Sequence, residues 1–548
     1  MPEAPPRRPI LWSIAGTDSC GGAGLSADQR AAEGFGVHLC PVVAAITAQN
    51  SVGVTRVEAV SPDVLDAQLA ALAADMPPAA IKTGLLGSAA NVAVVARWVD
   101  RLRERAPATA LVIDPVLGAS TGAAFADDAV LCAYRDLLLP RATLVTPNEK
   151  EARRLLGEGG MQDAPLPGPH AAVPALAQTL RALGTQAVAI TGGDSTRADG
   201  WSLDWIDTPH ARGWLALPRI DTRHTHGTGC TFATSAAAAL ALGFVAADAL
   251  VLAKQATTLA LRHGYAAGHG AGPVAARGGF ACDATLVPLM SWDENYDFDS
   301  CLRLSDGRWG LISSESTDIG LYAIVDSAEH VCQLVQAGVK TVQLRIKTPD
   351  AADAAWHAAL RQSCADALAA CRAAGATLVV NDHWRLAAEL AAGDARGLAV
   401  HLGQEDLLAL GRAGRAELAA SGLALGISSH SLWELCRARS LAPWYVACGP
   451  VWPTLTKAMP WRPQGLDNLA WWVHMAGVPV VAIGGILELD QCTRAAQSGA
   501  SGVCVVRGLG DKPANTVPRW QAALQAGRAA PRLPVPPMPH PSLACCVR

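Results

Sequence analysis

Asp221-Thr222-Arg223-His224-Thr225-His226-Gly227-Thr228-Gly229-Cys230 runs straight into the apolar, alanine-rich segment Thr231 to Leu242. Two glycines let backbone N–H groups converge on one anion, and a helix beginning behind them adds the positive end of its macrodipole. The stretch reads as an anion cradle at a helix N-terminus, suited to a transferring phosphoryl group. Cys230 falls in the first helical turn, where a thiol pKa is most readily lowered and a base or charge partner can serve catalysis. The competing reading is a glycine-rich turn with a buried structural cysteine. Gly-x-Gly alone does not separate the two.

Outward from this stretch, residues up to about 275 alternate short apolar runs with alanine-rich helical segments, the pattern of helices covering both faces of a mostly parallel sheet. Strands are expected near Ile10–Ala15, Leu39–Ala45, Ala80–Thr83, Ala110–Ile113, Ala142–Val145 and Ala187–Thr191, with an edge hairpin of Trp201–Ile206 and Trp214–Leu217. Functional residues of such a sheet lie where strands end and helices begin. There stand Ala15-Gly16-Thr17-Asp18-Ser19-Cys20-Gly21-Gly22-Ala23-Gly24, then Asp28, Asp114-Pro115, and Pro147-Asn148 with Glu151 a turn later. Carboxylates at neighbouring strand ends can hold Mg²⁺ against phosphate oxygens, although each alone could be an N-cap.

Composition limits the classes. At 548 residues the chain is too long for one core and predicts roughly two to four domains. A net charge of −4 without long runs of like charge points to small-molecule substrates rather than nucleic acid or a membrane surface. A homo-oligomer is compatible with this composition. Met1 to Pro9 lacks an apolar stretch of signal-peptide length, so a cytoplasmic protein is expected. Its 15 cysteines are scattered, adjacent only at Cys545-Cys546, and favour reduced thiols over disulfides or zinc.

The motifs Ala15-Gly16-Thr17-Asp18, Gly21-Gly22-Ala23-Gly24, Ala48-Gln49-Asn50, Lys82-Thr83-Gly84, Thr146-Pro147-Asn148-Glu149-Lys150-Glu151 and His226 to Cys230 resemble hydroxymethylpyrimidine and hydroxymethylpyrimidine-phosphate kinases, within the ribokinase-like superfamily. The resemblance spans residues 10–275. It implies a three-layer α/β/α sandwich that uses ATP to phosphorylate the pyrimidine alcohol and then its monophosphate. It places Gly16, Asp28 and Gln49 at the substrate, with Asp28 and Gln49 hydrogen-bonding the aminopyrimidine. Gly227, Gly229 and Cys230 become the catalytic anion hole, with Cys230 standing where most relatives carry an Asp base. Thr228, Asn148 and Glu151 serve the nucleotide and its Mg²⁺, and Asp114, by its place after a strand, is a further candidate metal ligand. Thr191 and Ser120 stand where the family carries Lys, replacing a point charge by a hydroxyl.

Residues 277–316 lose periodicity and read as a linker between a first domain, 1–276, and a second, 317–530. The second repeats a strand–helix unit, with strands expected at Leu321–Val325, Thr341–Leu344, Thr377–Val380, Gly397–Val400, Leu423–Ile427, Trp444–Ala447, Val478–Ile483 and Gly502–Val506. Helical stretches such as Ala351–Ala374 and Leu487–Ser498 lie between them. This is the pattern of a (β/α)8 TIM barrel, whose active site forms at the C-terminal strand ends. Arg345, Lys347, Asn381, Asp382, Asp406, Ser428, Thr454, Thr456, Lys457, Gly485 and Arg507 all follow strands. A solvated charge or a helix cap is the ordinary reading of any one alone. Residues 531–548, rich in proline, are expected to be a disordered tail.

Gln343-Leu344-Arg345-Ile346-Lys347, Asn381-Asp382, His401 to Asp406, Pro453-Thr454-Leu455-Thr456-Lys457 and Ala482-Ile483-Gly484-Gly485-Ile486 resemble thiamine-phosphate synthase. The resemblance implies that Asp382 and Asp406 bind Mg²⁺ on the pyrimidine diphosphate. Gln343, Leu344, Arg345, Ile346, Lys347, Asn381, Ser428 and Lys457 hold that substrate, and Lys457 is catalytic as the diphosphate departs. Thr454, Leu455, Thr456, Gly485, Val506 and Arg507 line the thiazole phosphate site, with Arg507 where the family has Ser. Together the halves imply a route to thiamine phosphate. Three other readings stay open: a kinase half preferring pyridoxal, a barrel that binds thiazole phosphate as a regulatory module, and an inactive kinase half kept as a scaffold.

Overall fold

The computed structural model describes residues 7–118, 125–157, 172–193, 200–296, 298, 302–305, 308–311, 318–454, 460–510 and 512–543. Ser120, Leu455, Thr456 and Lys457 lie outside the described residues. The chain divides into two compact units, Met1–Tyr296 with Leu543–Arg548, and Asp297–Ser542.

In the first unit, β1 (Ile10–Thr17), β2 (His38–Gln49), β3 (Val54–Ala59), β4 (Ala80–Thr83), β5 (Ala110–Ile113), β6 (Leu144–Val145), β7 (Val188–Thr191), β8 (Trp201–Asp207), β9 (Arg212–Pro218) and β10 (Leu289–Met290) form one ten-stranded sheet. Its order is β10-β9-β8-β7-β6-β5-β4-β1-β2-β3. Pairing is parallel from β2 through β1, β4, β5 and β6 to β7, and antiparallel at both edges. Helices Gly24–Gly34, Thr228–Ala241 and Ala246–Arg262 pack as one layer and Pro62–Asp75, Ala89–Arg105 and Asp128–Ala133 as another, giving the three-layer sandwich. β4 and β5 are buried at every position, as a sheet covered on both faces requires. The helix Thr228–Ala241 is apolar nearly all round and accordingly buried.

Two edge strands escaped the sequence reading. β3 alternates only between half-buried and exposed positions, so it carries no apolar stripe. β10 is two residues long, fixed by pairing Leu289 with Ala216 and Met290 with Leu215 of β9. Residues 277–296 therefore belong to the first unit rather than to a linker. Trp214 Nε1 donates to the Glu294 carbonyl at 2.9 Å, tying that stretch down.

In the second unit, β11 (Leu302–Ser305) and β12 (Arg308–Leu311) form an antiparallel pair. β13 (Gly320–Val325), β14 (Thr341–Leu344), β15 (Thr377–Asn381), β16 (Leu398–Leu402), β17 (Ala424–Ser429), β18 (Tyr445–Cys448), β19 (Val480–Ala482) and β20 (Gly502–Val505) close into a parallel barrel. All eight coincide with the expected strands apart from their ends. Its interior packs Ile319, Tyr322, Val379, Ala399, Tyr445, Ala447, Val481 and Cys504. Gly426 is required here, since a Cβ would sit 2.2 Å from the Tyr445 ring.

The end of the chain is not disordered over residues 531–543. Asn468 Oδ1 accepts from His540 N at 2.8 Å and Asn468 Nδ2 donates to the His540 carbonyl at 3.0 Å. Gln497 Nε2 donates to the Pro531 carbonyl at 2.7 Å and Arg462 N to the Ser542 carbonyl at 2.8 Å. Prolines reduce the entropy lost on ordering, so a few such bonds suffice to hold the segment.

Candidate active sites

At the C-terminal end of β1, the carboxylate of Asp18 organises the glycine loop. Its Oδ1 accepts from Cys20 N at 3.0 Å, and its Oδ2 accepts from Gly22 N at 3.0 Å and Ala23 N at 2.8 Å. Oδ2 also lies 2.8 Å from His226 Nε2, which joins this loop to the one before Thr228–Ala241. Burial alone would raise the Asp18 pKa, but hydrogen bonds from His226, Cys20 and the backbone outweigh it and hold the carboxyl well below the usual range. The two loops touch through glycine: a Cβ on Gly227, at φ +84, would stand 2.1 Å from the Gly22 carbonyl oxygen. Gly24, at φ +55, packs as closely on the carbonyl oxygen of Gly16, where a Cβ would come to 2.3 Å. Nothing within 4 Å would obstruct a Cβ on Gly229, so the space over the first helical turn is open, as an anion cradle needs.

Beneath the cradle lies a buried charge cluster. Lys82 of β4 is fully enclosed, with Nζ 3.1 Å from both Asp28 oxygens and 3.3 Å from Asp114 Oδ2. Asp28 also accepts from Ser13 Oγ at 2.6 Å and Thr234 Oγ1 at 2.7 Å. All its lone pairs are thus committed, and it is 0% exposed. Asp28 therefore neutralises Lys82 below the site instead of facing the pyrimidine as expected. Asp114 meets the same ammonium through Oδ2 at 3.3 Å, so Lys82 is the cation beside it in this structure. Burial pushes the Asp114 pKa up, against the pull of Lys82, while the paired anions drive that of Lys82 upward despite its burial.

Cys230 is half-buried, with Asp114, Lys82 and Asp28 close enough to act on its thiol. Burial, with Asp114 and Asp28 adding to it, pushes the thiol up to about 12 in spite of Lys82 and the backbone at Gly24. This runs against the expectation of a lowered thiol pKa, because burial outweighs the pull of Lys82 and the two carboxylates add to it.

Asn148 and Glu151 form a capping box on the helix Glu149–Leu155: Asn148 Oδ1 accepts from Glu151 N and Glu151 Oε2 from Asn148 N, each at 2.9 Å. Thr228 turns its hydroxyl back to the Thr225 carbonyl at 2.6 Å. Thr191, at the end of β7, precedes a turn in which Gly192 N donates to Asp204 Oδ1 at 3.0 Å, and Asp204 Oδ2 pairs with the buried Lys254 at 2.7 Å.

At the barrel mouth, Gln343 Nε2 donates to Asn381 Oδ1 at 2.8 Å. Asp382 has φ +65, and desolvation together with the nearby Asp406 raises its pKa against the pull of His383 and Arg345. A desolvated carboxylate with a second one nearby is the kind of oxygen donor set a hard divalent cation takes, so these residues fit Mg²⁺. Asp406 Oδ2 also accepts from Gly403 N at 3.0 Å, capping Gln404–Ala409. Arg345, Lys347, Val506 and Arg507 are exposed at strand ends, while Ile346 offers its carbonyl to His383 Nε2 at 3.0 Å. Leu344 is in the core, 2% exposed, so its side chain meets no substrate. Thr454 is half-buried, and Gly485, at φ +73, packs against Trp452, where a Cβ would come to 2.7 Å. A cleft of about 520 Å³ beside Asp382 runs between Ala354–Ala373 and Trp384–Ala391, lined by His357, Arg361, His383 and Arg385 among others.

Ser428 is the end of a polar chain that sequence reasoning missed. Tyr322 and Tyr445 hydroxyls meet at 2.7 Å, Tyr445 OH meets His401 Nδ1 at 2.9 Å, and His401 Nε2 meets Ser428 Oγ at 2.8 Å. Burial, aided by Arg345 and His430, lowers the His401 pKa to about 4. Sequence reasoning noticed Lys82 only as part of the motif Lys82-Thr83-Gly84, without a role. A lone Lys in the apolar run Ala80–Thr83 is a legible signal, since an enclosed ammonium must be paired.

Residues 18–275 match the phosphomethylpyrimidine kinase family and residues 320–509 the thiamine monophosphate synthase family. The chain is 43% identical over 266 residues to the hydroxymethylpyrimidine/phosphomethylpyrimidine kinase of Synechococcus elongatus, covering 48% of this chain and 96% of that protein. It is 30% identical over 523 residues to a probable chloroplastic thiamine biosynthetic bifunctional enzyme of Oryza sativa, covering 92% of this chain and 86% of that one. A chloroplastic thiamine biosynthetic bifunctional enzyme of Arabidopsis thaliana is 31% identical over 489 residues, 87% of this chain and 85% of that one. With its sandwich and its barrel each matched in this order, the chain belongs to the bifunctional thiamine biosynthetic enzymes, an ATP-using hydroxymethylpyrimidine and phosphomethylpyrimidine kinase joined to a thiamine-phosphate synthase.

Proposed function

We propose the following division of labour among the residues. In the kinase unit the pyrimidine alcohol lies against Gln49, its hydroxymethyl group directed at the cradle of Gly227 to Cys230, where backbone N–H groups receive the transferring phosphoryl oxygens. Cys230 acts as a protonated thiol beside Asp114, not as a thiolate. Lys82, paired with two carboxylates, keeps the floor of the site near neutral. Asn148 and Glu151 order the nucleotide side, and positioning with charge neutralisation supplies most of the rate.

In the barrel, Gln343 and Asn381 hold the pyrimidine edge, and Arg345 and Lys347 face the diphosphate. The pyrimidine methylene loses pyrophosphate to leave a cation stabilised by the 4-amino group, and the thiazole nitrogen captures it. Mg²⁺ held by Asp382 and Asp406 would neutralise the charge of the departing diphosphate. Lys457 adds to that neutralisation in this reading, with Thr454, Thr456, Gly485 and the main chain at Arg507 receiving the thiazole phosphate. The placement of Asp382 near Asp406 at the barrel mouth supports the barrel assignment most directly, because a module that merely bound thiazole phosphate has no use for two neighbouring carboxylates there. We place the enzyme in the cytoplasm, in keeping with described cysteines that are all free thiols.

Full-length protein supplied with hydroxymethylpyrimidine, ATP, Mg²⁺ and thiazole phosphate is expected to release thiamine phosphate and pyrophosphate. If nothing forms, adding the pyrimidine diphosphate separates the halves: rescue locates the fault in the kinase unit, and continued silence rejects the barrel mechanism.

A further inference from the structure

Gln49 sits at the end of β2 with its two amide ends between fixed partners. Nε2 lies 3.3 Å from His226 Nε2, and Oε1 lies 3.4 Å from Thr47 Oγ1. Both partners have already committed their hydrogens. His226 Nε2 lies 2.8 Å from a carboxylate that can only accept, so that nitrogen carries a proton and donates to Asp18. The single Thr47 hydroxyl hydrogen goes to the Thr17 carbonyl at 2.8 Å. In this orientation the amide therefore sets donor against donor at His226 and acceptor against acceptor at Thr47. A half-turn of the amide, which exchanges two groups of equal size, lets Nε2 donate to Thr47 Oγ1 and sets Oε1 beside the His226 N–H, which Oε1 shares with Asp18 as the longer branch at 3.3 Å.

We propose that Asp18 and His226, with Thr47, clamp the Gln49 amide with Oε1 toward His226 and Nε2 toward Thr47, and that this orientation decides which way round the pyrimidine binds. The inference rests on the reading that Gln49 faces the aminopyrimidine. Each amide end keeps one free valence on its outer edge, an oxygen lone pair beside an N–H, which matches an exocyclic amine beside a ring nitrogen. The amine must pair with Oε1, at the His226 end. On the substrate the hydroxymethyl carbon is next to the carbon bearing that amine. Docking the amine at the His226 end thus turns the hydroxyl toward Gly227, the residue following His226 in the chain, and toward the cradle. The opposite amide orientation would admit the ring only turned over, with its hydroxyl pointing away. His226 is a positioning residue: it acts on the substrate through Gln49.

The test is steady-state kinase kinetics of the full-length protein on the 4-aminopyrimidine alcohol and on its 4-oxo counterpart, which presents the reversed donor and acceptor pattern. The ratio of the two kcat/KM values, taken in one preparation, is independent of the fraction folded. The unaltered protein is expected to favour the amine by roughly 10³-fold or more, as sites built on paired hydrogen bonds do. H226F, which keeps a flat ring and loses the N–H, frees the amide, and the ratio falls about tenfold or more. The amine's own loss then appears mainly in kcat, because a reversed ring occupies the site without reacting. H226Q, which restores an N–H donor, regains part of the ratio, and T47V lowers it through the other end of the amide. An unchanged ratio in both H226F and T47V, with Q49A collapsing it, would overturn the clamp while leaving Gln49 at the pyrimidine. An unchanged KM and ratio in Q49A would overturn the clamp together with the reading on which it rests.

Discussion

Replacing Lys82 by Met tests the charge cluster under the kinase cradle. Met fills most of the volume but leaves Asp28, 0% exposed, and Asp114, 5% exposed, without a cation. At the observed 3.1 Å from Asp28, and an effective dielectric constant of about 20, the lost attraction is about 5 kcal/mol before desolvation is counted. Removing one partner of a buried pair typically costs 3–5 kcal/mol net, and ~4 kcal/mol is expected here. With a urea slope near ~3 kcal/mol per molar, the midpoint for loss of kinase activity should fall by about 1.3 M. Synthase activity, read in the same samples, is the internal reference. The deficit should shrink as pH is lowered, because a protonated carboxyl no longer needs its partner. Adding D28N should recover part of it at pH 7. A midpoint shift below about 0.3 M, or a deficit unaffected by acid, would refute the reasoning and mean that water already screens the cluster.

Three further outcomes follow from named groups. Because the Cys230 thiol is pushed up to about 12, kinase rates should show no rise with thiolate ionisation between about pH 7 and 9. Iodoacetamide at neutral pH should alkylate the exposed Cys20 and Cys132 well before it, which peptide mass spectrometry can follow. His401 is held neutral, with a folded pKa of about 4 against about 6.5 unfolded, so its contribution is present above pH 6.5 and is lost as pH falls toward 4. The barrel should lose stability across that window, and H401Q should flatten the loss in urea titrations of synthase activity. D382N and D406N should each raise the Mg²⁺ concentration for half-maximal synthase activity by roughly tenfold or more, with the Mg²⁺ dependence of the kinase unchanged.

Much of this architecture is written in local pattern. All eight barrel strands and most of the sandwich strands appear in the sequence as apolar runs, because a strand buried on both faces needs apolar side chains at nearly every position. The glycine loops were equally legible: Gly24 and Gly227 occupy positive φ with backbone against backbone, a demand that only glycine meets without strain. What the local pattern could not convey is which polar groups meet after the chain closes on itself. Asp28 and Lys82 are 54 residues apart, and Asp18 and His226 are 208 apart. No periodicity encodes either pair. The resemblance made Asp28 a candidate substrate contact, and its place in the first helical turn made Cys230 a candidate thiolate; the tertiary structure runs against both, because Asp28 is enclosed with Lys82 and burial raises the thiol. The two-residue strand Leu289–Met290 and the ordered end near His540 belong to the same class. Their order comes from partners in β9 and at Asn468, so it arises from packing and hydrogen bonding rather than from the sequence of either segment.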